Sequence, residues 1–180
     1  MDRASAAHDV LTLDTYASTR RESIGMRPLL DFGRWISKLD IPPHVLSHSS
    51  IRKMEDDAID MFSLTNDLYS YRKEILAHDA HHNFITVAMQ DLSSGIPAGD
   101  HQAAIDYTCV RFSEILNDFR RLSGKLPSFG ADMDTQVQRY IAVMTDLVVG
   151  NIRWSLACRR YGHSDTWTDT KTGDVMFDLN

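Results

Sequence analysis

An all-α fold is what this sequence predicts. Apolar residues recur at helical spacing, most clearly as Phe84, Val87, Ala88 and Leu92, and again as Ile105, Thr108, Phe112, Ile115 and Phe119. No stretch shows the apolar–polar alternation of a half-buried strand. Prolines and glycines fall between the periodic stretches rather than inside them, as expected of helices joined by turns.

Taken in order, the helical stretches are residues 6–24 and 28–39, broken by Gly25 and Pro28. Pro42-Pro43 opens a turn and a short helix. One long helix runs from Ser49 to about His78, followed by a helical segment over about 80–93. Residues 93–99, Ser-Ser-Gly-Ile-Pro-Ala-Gly, are a loop. Helical patterning returns over 101–123, breaks at Lys125-Leu126-Pro127, and resumes as a last long helix over 133–161. The tail from Ser164 is polar apart from an apolar tip at Val175–Phe177, and is expected to be poorly ordered. There is no repeat and no internal linker, so residues 1–163 form one unit and 164–180 a tail.

Composition narrows the classes. A chain of 180 residues with 43% hydrophobic content can bury one sizeable core. A net charge of −6 leaves no basic footprint for nucleic acid. Cys109 and Cys158 lie far apart and match no metal spacing, which suits free thiols in a reducing, cytoplasmic compartment. No apolar run approaches the ~20 residues of a membrane span, and the first residues carry no signal-peptide core.

The stretch with the most chemistry is Asn66-Asp67-Leu68-Tyr69-Ser70-Tyr71-Arg72-Lys73-Glu74. Asn66, Ser70 and Glu74 stand at i, i+4 and i+8, which stacks three oxygen-bearing side chains along one helix face. Such donors suit a hard cation such as magnesium, which completes its shell with water and a bound phosphate. Eight residues of helix rise about 12 Å, but side chains lean toward the N-terminus and a long Glu reaches back toward Ser70. Lys73 is placed to meet phosphate oxygens as a point charge. Taken alone, the same spacing also describes a solvated polar stripe.

The full string is similar to the second metal-binding motif of class I terpene synthases, matching at Asn66, Asp67, Leu68, Ser70, Lys73 and Glu74. Two other places resemble that family. Arg20-Arg21-Glu22-Ser23-Ile24-Gly25 looks like its diphosphate-sensing segment, in which an arginine precedes a small effector residue by four positions. Arg21 and Gly25 have that spacing, and Arg20 is its rival. Guanidinium forks bind diphosphate oxygens in pairs. Gly150-Asn151-Ile152-Arg153-Trp154-Ser155, closing in Arg160-Tyr161-Gly162, resembles the C-terminal helix of fungal and bacterial sesquiterpene synthases. There the Arg-Tyr pair donates to diphosphate. A basic residue at a helix C-terminus is also favourable with the dipole. Trp154, and after it Phe62, are the aromatics expected in a pocket for carbocations, which gain from ring faces within ~6 Å.

Two strings mislead. Asp56-Asp57-Ala58-Ile59-Asp60 spells an aspartate-rich metal motif, but it shares one helix with Asn66. At ~100° per residue Asp57 lies half a turn from Asn66 and Asp60 is also well off that face, so both are expected on a solvated acidic face. His78, His81 and His82 with Glu74 suggest a di-metal cluster, but the Glu-x-x-His spacing is missing.

The resemblance thus implies an antiparallel helical bundle of the class I terpenoid synthase type, incomplete at its N-terminal side, because the family's upstream aspartate-rich helix has no counterpart here. Either the sequence is a fragment or Met1 is not the natural start. By the same resemblance the activity is magnesium-dependent ionisation and cyclisation of farnesyl diphosphate. Mg2+ would be held by Asn66, Ser70 and Glu74, and the diphosphate by Arg21, Lys73, Arg160 and Tyr161. Arg21, Gly25 and Trp154 would act in catalysis. The alternative is an inactive helical fragment that binds a partner or pairs as a homodimer through exposed apolar surface.

Overall fold

A computed structural model describes residues 11–161 and two short strands at 166–168 and 175–177. Seven helices are present among the described residues: α1 (Leu13–Ser23), α2 (Met26–Ile36), α3 (Pro43–Leu46), α4 (Ser49–Leu76), α5 (Phe84–Gln90), α6 (His101–Ser123) and α7 (Ala131–Ala157). The two strands pair antiparallel, Trp167 opposite Met176. The sequence carries no strand alternation that predicts this pair. The rest of the tail, expected to be poorly ordered, lies outside the described residues, as do residues 1–10 of the first helical stretch.

α4 is the axis of the bundle. It runs for 28 residues, about 42 Å of helix, and touches every other helix. Ile51, Met54, Ala58, Ile59, Met61 and Leu64 are all buried along it, facing more than one neighbour. α6 and α7 make its largest contacts, with α1 and α5 packed around its C-terminal half. A helix surrounded in this way has little solvent face left. That is why Asp57 and Asp67 are both buried, although each is a charged residue on a helix.

Local chemistry sets the helix starts. Thr12 caps α1 by accepting from the Thr15 N–H at 3.2 Å, and Asp100 caps α6 by accepting from the Ala103 N–H at 3.0 Å. Pro43 opens α3, where its missing N–H costs nothing. Pro28 behaves likewise. It was expected to mark the start of α2, yet it is the third helical residue, still within the turn whose N–H groups have no intrahelical partner. The break between α1 and α2 falls at Gly25 instead, whose φ of 78° is a left-handed conformation that an L side chain rarely adopts.

Two boundaries differ from the sequence expectation for tertiary reasons. The segment over 80–93 is split, with a 3-10 turn at Ala80–His82, α5 from Phe84, and Asn83 extended between them. The last helix ends at Ala157 because Cys158 turns extended, and a 3-10 turn, Arg159–Tyr161, folds back toward α4.

α2 and α7 approach closely at Gly33. A Cβ built there would lie 2.5 Å from Val143 Cγ1. Valine in a helix has essentially one χ1 rotamer, so it cannot swing aside cheaply. Gly33→Ala is therefore expected to destabilise the protein by about 1–3 kcal/mol, as overpacking does. Adding Val143→Ala should return most of that loss in a urea unfolding series. Equal stability of Gly33→Ala and the parent would refute the close approach.

Candidate active site

An open cleft of about 470 Å³ lies between α4, α7, the end of α1 and the C-terminal turn. Asn66 and Phe62 line it from α4, Trp154 from α7, and Arg160 and Tyr161 from the turn. The back-folded turn makes this possible. Tyr161 is buried, its hydroxyl accepts from Asn66 Nδ2 at 3.3 Å, and the Trp154 ring meets its ring edge-on at 5.8 Å. The Arg160 guanidinium lies 5.9 Å from the same ring. Five residues named from two separate stretches of sequence therefore line one cleft. Ile24, Asp146 and Leu147 also line the cleft, and sequence reasoning did not single them out. Asn151 ties α7 to α4 beside them, donating to Thr65 Oγ1 at 3.0 Å and to the Phe62 carbonyl at 3.3 Å.

The three oxygen donors are not equally placed. Asn66 alone lines the cleft. Ser70 is buried further along α4, its hydroxyl only 3.5 Å from the Asp67 carbonyl, and Glu74 is half-buried with Oε2 accepting from Asn83 Nδ2 at 3.0 Å. Lys73 is half-buried next to Glu74 and outside the cleft wall. The donor types still fit a hard divalent cation: an amide oxygen, a hydroxyl with only a long internal bond, and a carboxylate with one oxygen committed to an amide.

The two arginines of α1 part ways. Arg21 forms a bidentate pair with Asp60, at 2.7 and 2.6 Å, and does not meet the cleft. Arg20, the rival, reaches the motif. Its Nη2 donates to Asn66 Oδ1 at 2.9 Å and to Asp67 Oδ1 at 2.7 Å. Consecutive residues on a helix point about 100° apart, so only one of them can face Asn66.

Asp67 is the residue that the metal reading of the motif overlooked. Its carboxylate is 1% exposed and accepts from Arg20, from the Tyr16 hydroxyl and from the Phe84 N–H at 3.1 Å. Burial pushes its carboxyl up, against the pull of Arg20, Tyr16 and Phe84. Burial first, and the Asp67 charge second, push the Tyr16 phenol up as well, so it stays a donor. Asn83 completes the cluster, donating to the Asp67 carbonyl at 2.8 Å while its own oxygen caps α5 through the Ile85 N–H at 3.0 Å. The signal for Asn83 was present in the sequence, as an Asn directly before the apolar Phe84-Ile85 run.

The aspartate-rich string also needs correcting. Asp57 and Asp60 do point away from Asn66, but not to solvent. Asp57 is 1% exposed, paired with Lys53, with Oδ2 buried and without a hydrogen-bond partner among the described residues, and Asp60 is held by Arg21. Neighbouring helices cover this part of α4, so that Asp57 is buried and Asp60 mostly so, although Lys53 one turn away keeps half its side chain in solvent. The histidines stay apart from any metal geometry. His81 is 72% exposed with Asp79 at 3.7 Å, and no cluster of three or more His, Cys, Asp or Glu able to hold a metal exists among the described residues.

With this geometry in place, comparison with known proteins gives the family. Residues 3–118 match the family model described as "Terpene synthase family 2, C-terminal metal binding". The chain belongs to the terpene synthase family. It is 32% identical over 161 residues to Sesquiterpene synthase Agr1 of Cyclocybe aegerita, covering 89% of this chain and 44% of that relative. It is 33% identical over 164 residues to Sesquiterpene synthase 3 of Postia placenta, covering 91% of this chain and 43% of the other. The chain thus spans under half the length of the curated relatives it matches. A crystal structure of a-eudesmol synthase superposes with a TM-score of 0.69 at 24% identity, over 81% of this chain and 46% of that one. Germacradien-4-ol synthase from Streptomyces citricolor gives 0.66 at 21% identity, over 80% and 46%. The fold is therefore the helical one of terpene synthases, as the motifs implied. No helix among the described residues is long and apolar enough to cross a membrane.

Asp57 offers a pH test of the buried string. Burial raises its carboxyl above the ordinary value, more than Lys53 lowers it. The folded state then binds the proton more tightly than the unfolded chain, so this residue's contribution to stability falls as pH rises above the unfolded value of about 3.9. Asp57→Asn should remove that slope. At pH 7 it should be at least as stable as the parent, and the advantage should shrink toward pH 4. A variant clearly less stable than the parent at pH 7 would show that the Lys53 pair outweighs burial.

Proposed function

We propose that this segment forms the C-terminal wall of a sesquiterpene cyclase site, acting on farnesyl diphosphate with magnesium. The observation that carries the proposal is the cleft itself, which gathers Asn66, Tyr161, Arg160, Trp154 and Phe62. Amide oxygen, cationic and phenolic donors and aromatic faces on one wall suit a substrate with a diphosphate head and a hydrocarbon tail. Relatives named sesquiterpene synthases support the same reading.

In this reading Asn66, Ser70 and Glu74 hold the cation. When bound, magnesium supplies positive charge to the departing diphosphate. Arg160 and the Tyr161 hydroxyl donate to its oxygens as the allylic C–O bond breaks. Arg21 joins them if it leaves Asp60. Its pair is the more exposed of the two, with 30% of the Arg21 side chain and 15% of Asp60 exposed, against 20% and 1% for Arg20 and Asp67. Gly25 supplies the left-handed break that lets the end of α1 adjust, and Lys73 adds charge beyond Glu74. Trp154 and Phe62 present rings to the hydrocarbon chain and help to keep water from it.

The second reading, partner binding by an inactive helical unit, draws on one observation. The outer face of α2 leaves Phe32, Trp35 and Ile36 more than half exposed, with the first two rings stacked at 5.6 Å.

Turnover separates the two readings. In a domain extended to the length of its relatives, Asn66→Ala, Ser70→Ala or Glu74→Ala should each cut cyclic product from farnesyl diphosphate at least about 100-fold, as loss of metal-held charge does. Gas chromatography showing parental product levels from all three would sink the assignment. The 180 residues by themselves should give no cyclic product, since a one-sided cleft leaves any cation open to water. Catalytic appearance of a cyclic hydrocarbon or alcohol from this chain would overturn that expectation.

A further inference from the structure

The side-chain amide of Asn66 is held from both ends. An arginine can only donate, so the oxygen of the amide must face Arg20, and the nitrogen then faces Tyr161. Arg20 is itself held, because the same Nη2 that meets Asn66 also meets the buried Asp67 carboxylate. Asp67 is fixed in turn by the Tyr16 hydroxyl and the Phe84 N–H. The guanidinium's Nε is buried and has no hydrogen-bond partner among the described residues.

We infer that Arg20 and Asp67 are positioning residues for Asn66: the buried ion pair sets the direction of its amide oxygen and keeps the arginine from repelling a cation there. This rests on the reading of Asn66 as a metal ligand. Arg20 occupies one lone pair of Oδ1 and leaves the other for a cation. A free guanidinium so close would oppose a divalent ion, and the Asp67 charge cancels that repulsion. The pair therefore does two things at Asn66, one geometric and one electrostatic, without touching the substrate.

A purely structural ion pair and a positioning pair predict different double-variant behaviour. Arg20→Met leaves a buried carboxylate unpaired, and Asp67→Asn leaves a guanidinium unpaired, so each should lower the melting temperature. Combining them removes both charges and should return most of the lost stability. Asn66, however, would still lack its donor. The test uses the 180-residue chain, with the side-chain amide signals of Asn66 followed by 15N NMR and titration calorimetry of magnesium with inorganic diphosphate. In the double variant the Asn66 signals should stay displaced from the parent's, and binding should stay weaker by about tenfold, the usual effect of losing an outer-shell partner. Recovery of the Asn66 signals and of binding together with stability would overturn the inference. Arg20→Lys gives a check if the double variant folds poorly. It keeps a charge for Asp67 but lacks the guanidinium's reach, so it should melt near the parent with the Asn66 signals displaced. Parental Asn66 signals in Arg20→Lys would also count against the inference. If Asn66→Ala binds magnesium and diphosphate like the parent, the metal-ligand reading fails instead, and the amide signals still decide whether Arg20 positions Asn66.

Discussion

The Asp67 carboxylate has to be satisfied where water does not reach it, and much of the structure is arranged around that need. It lies on α4, the helix that every other helix touches. Among the described residues three donors meet it, one each from Tyr16 and Arg20 on α1 and one from the start of α5. An unpaired carboxylate in such a place would cost several kcal/mol. The position of α1 against α4, and the break that starts α5, therefore follow from one buried charge as well as from apolar packing. The same need brings Arg20 to Asn66, so the constraint that orders the bundle also reaches the cleft.

The cleft depends on a second tertiary device, the reversal after α7. Cys158 ends the helix, and the turn that follows returns Tyr161 to Asn66 and Trp154. Had the helix continued to residue 161, Arg160 and Tyr161 would have run away from α4 along the α7 axis. Asn151 holds the α7 end of this arrangement through Thr65 and the Phe62 carbonyl. Cationic, phenolic and aromatic groups thus converge because two helices are clamped and a third segment folds back between them.

The acidic run on α4 shows how a motif can be spelled in sequence and carry another role. Asp57 pairs with Lys53, and Asp60 grips Arg21, which fastens α1 to α4 a second time. These carboxylates are spent inside the bundle. Their direction away from Asn66 could be worked out from helical angles, but their burial could not, because burial depends on which helices cover that side of α4.

Much was legible in the sequence alone. Helical periodicity and turn residues set out the helices, and the Asn66–Ser70–Glu74 spacing with the Arg160-Tyr161 ending pointed to the family, since these are properties of neighbours along one chain. Caps such as Asn83 were also readable, because a cap acts on N–H groups two or three residues away. Only the tertiary structure decided which of Arg20 and Arg21 faces Asn66, that α7 stops at Ala157, and that Asp67 is a buried hub rather than a spectator in a metal motif. Each of these depends on contacts between residues tens of positions apart. Their energy comes from pairing groups that packing has cut off from water, and no local pattern along the chain records which groups those will be.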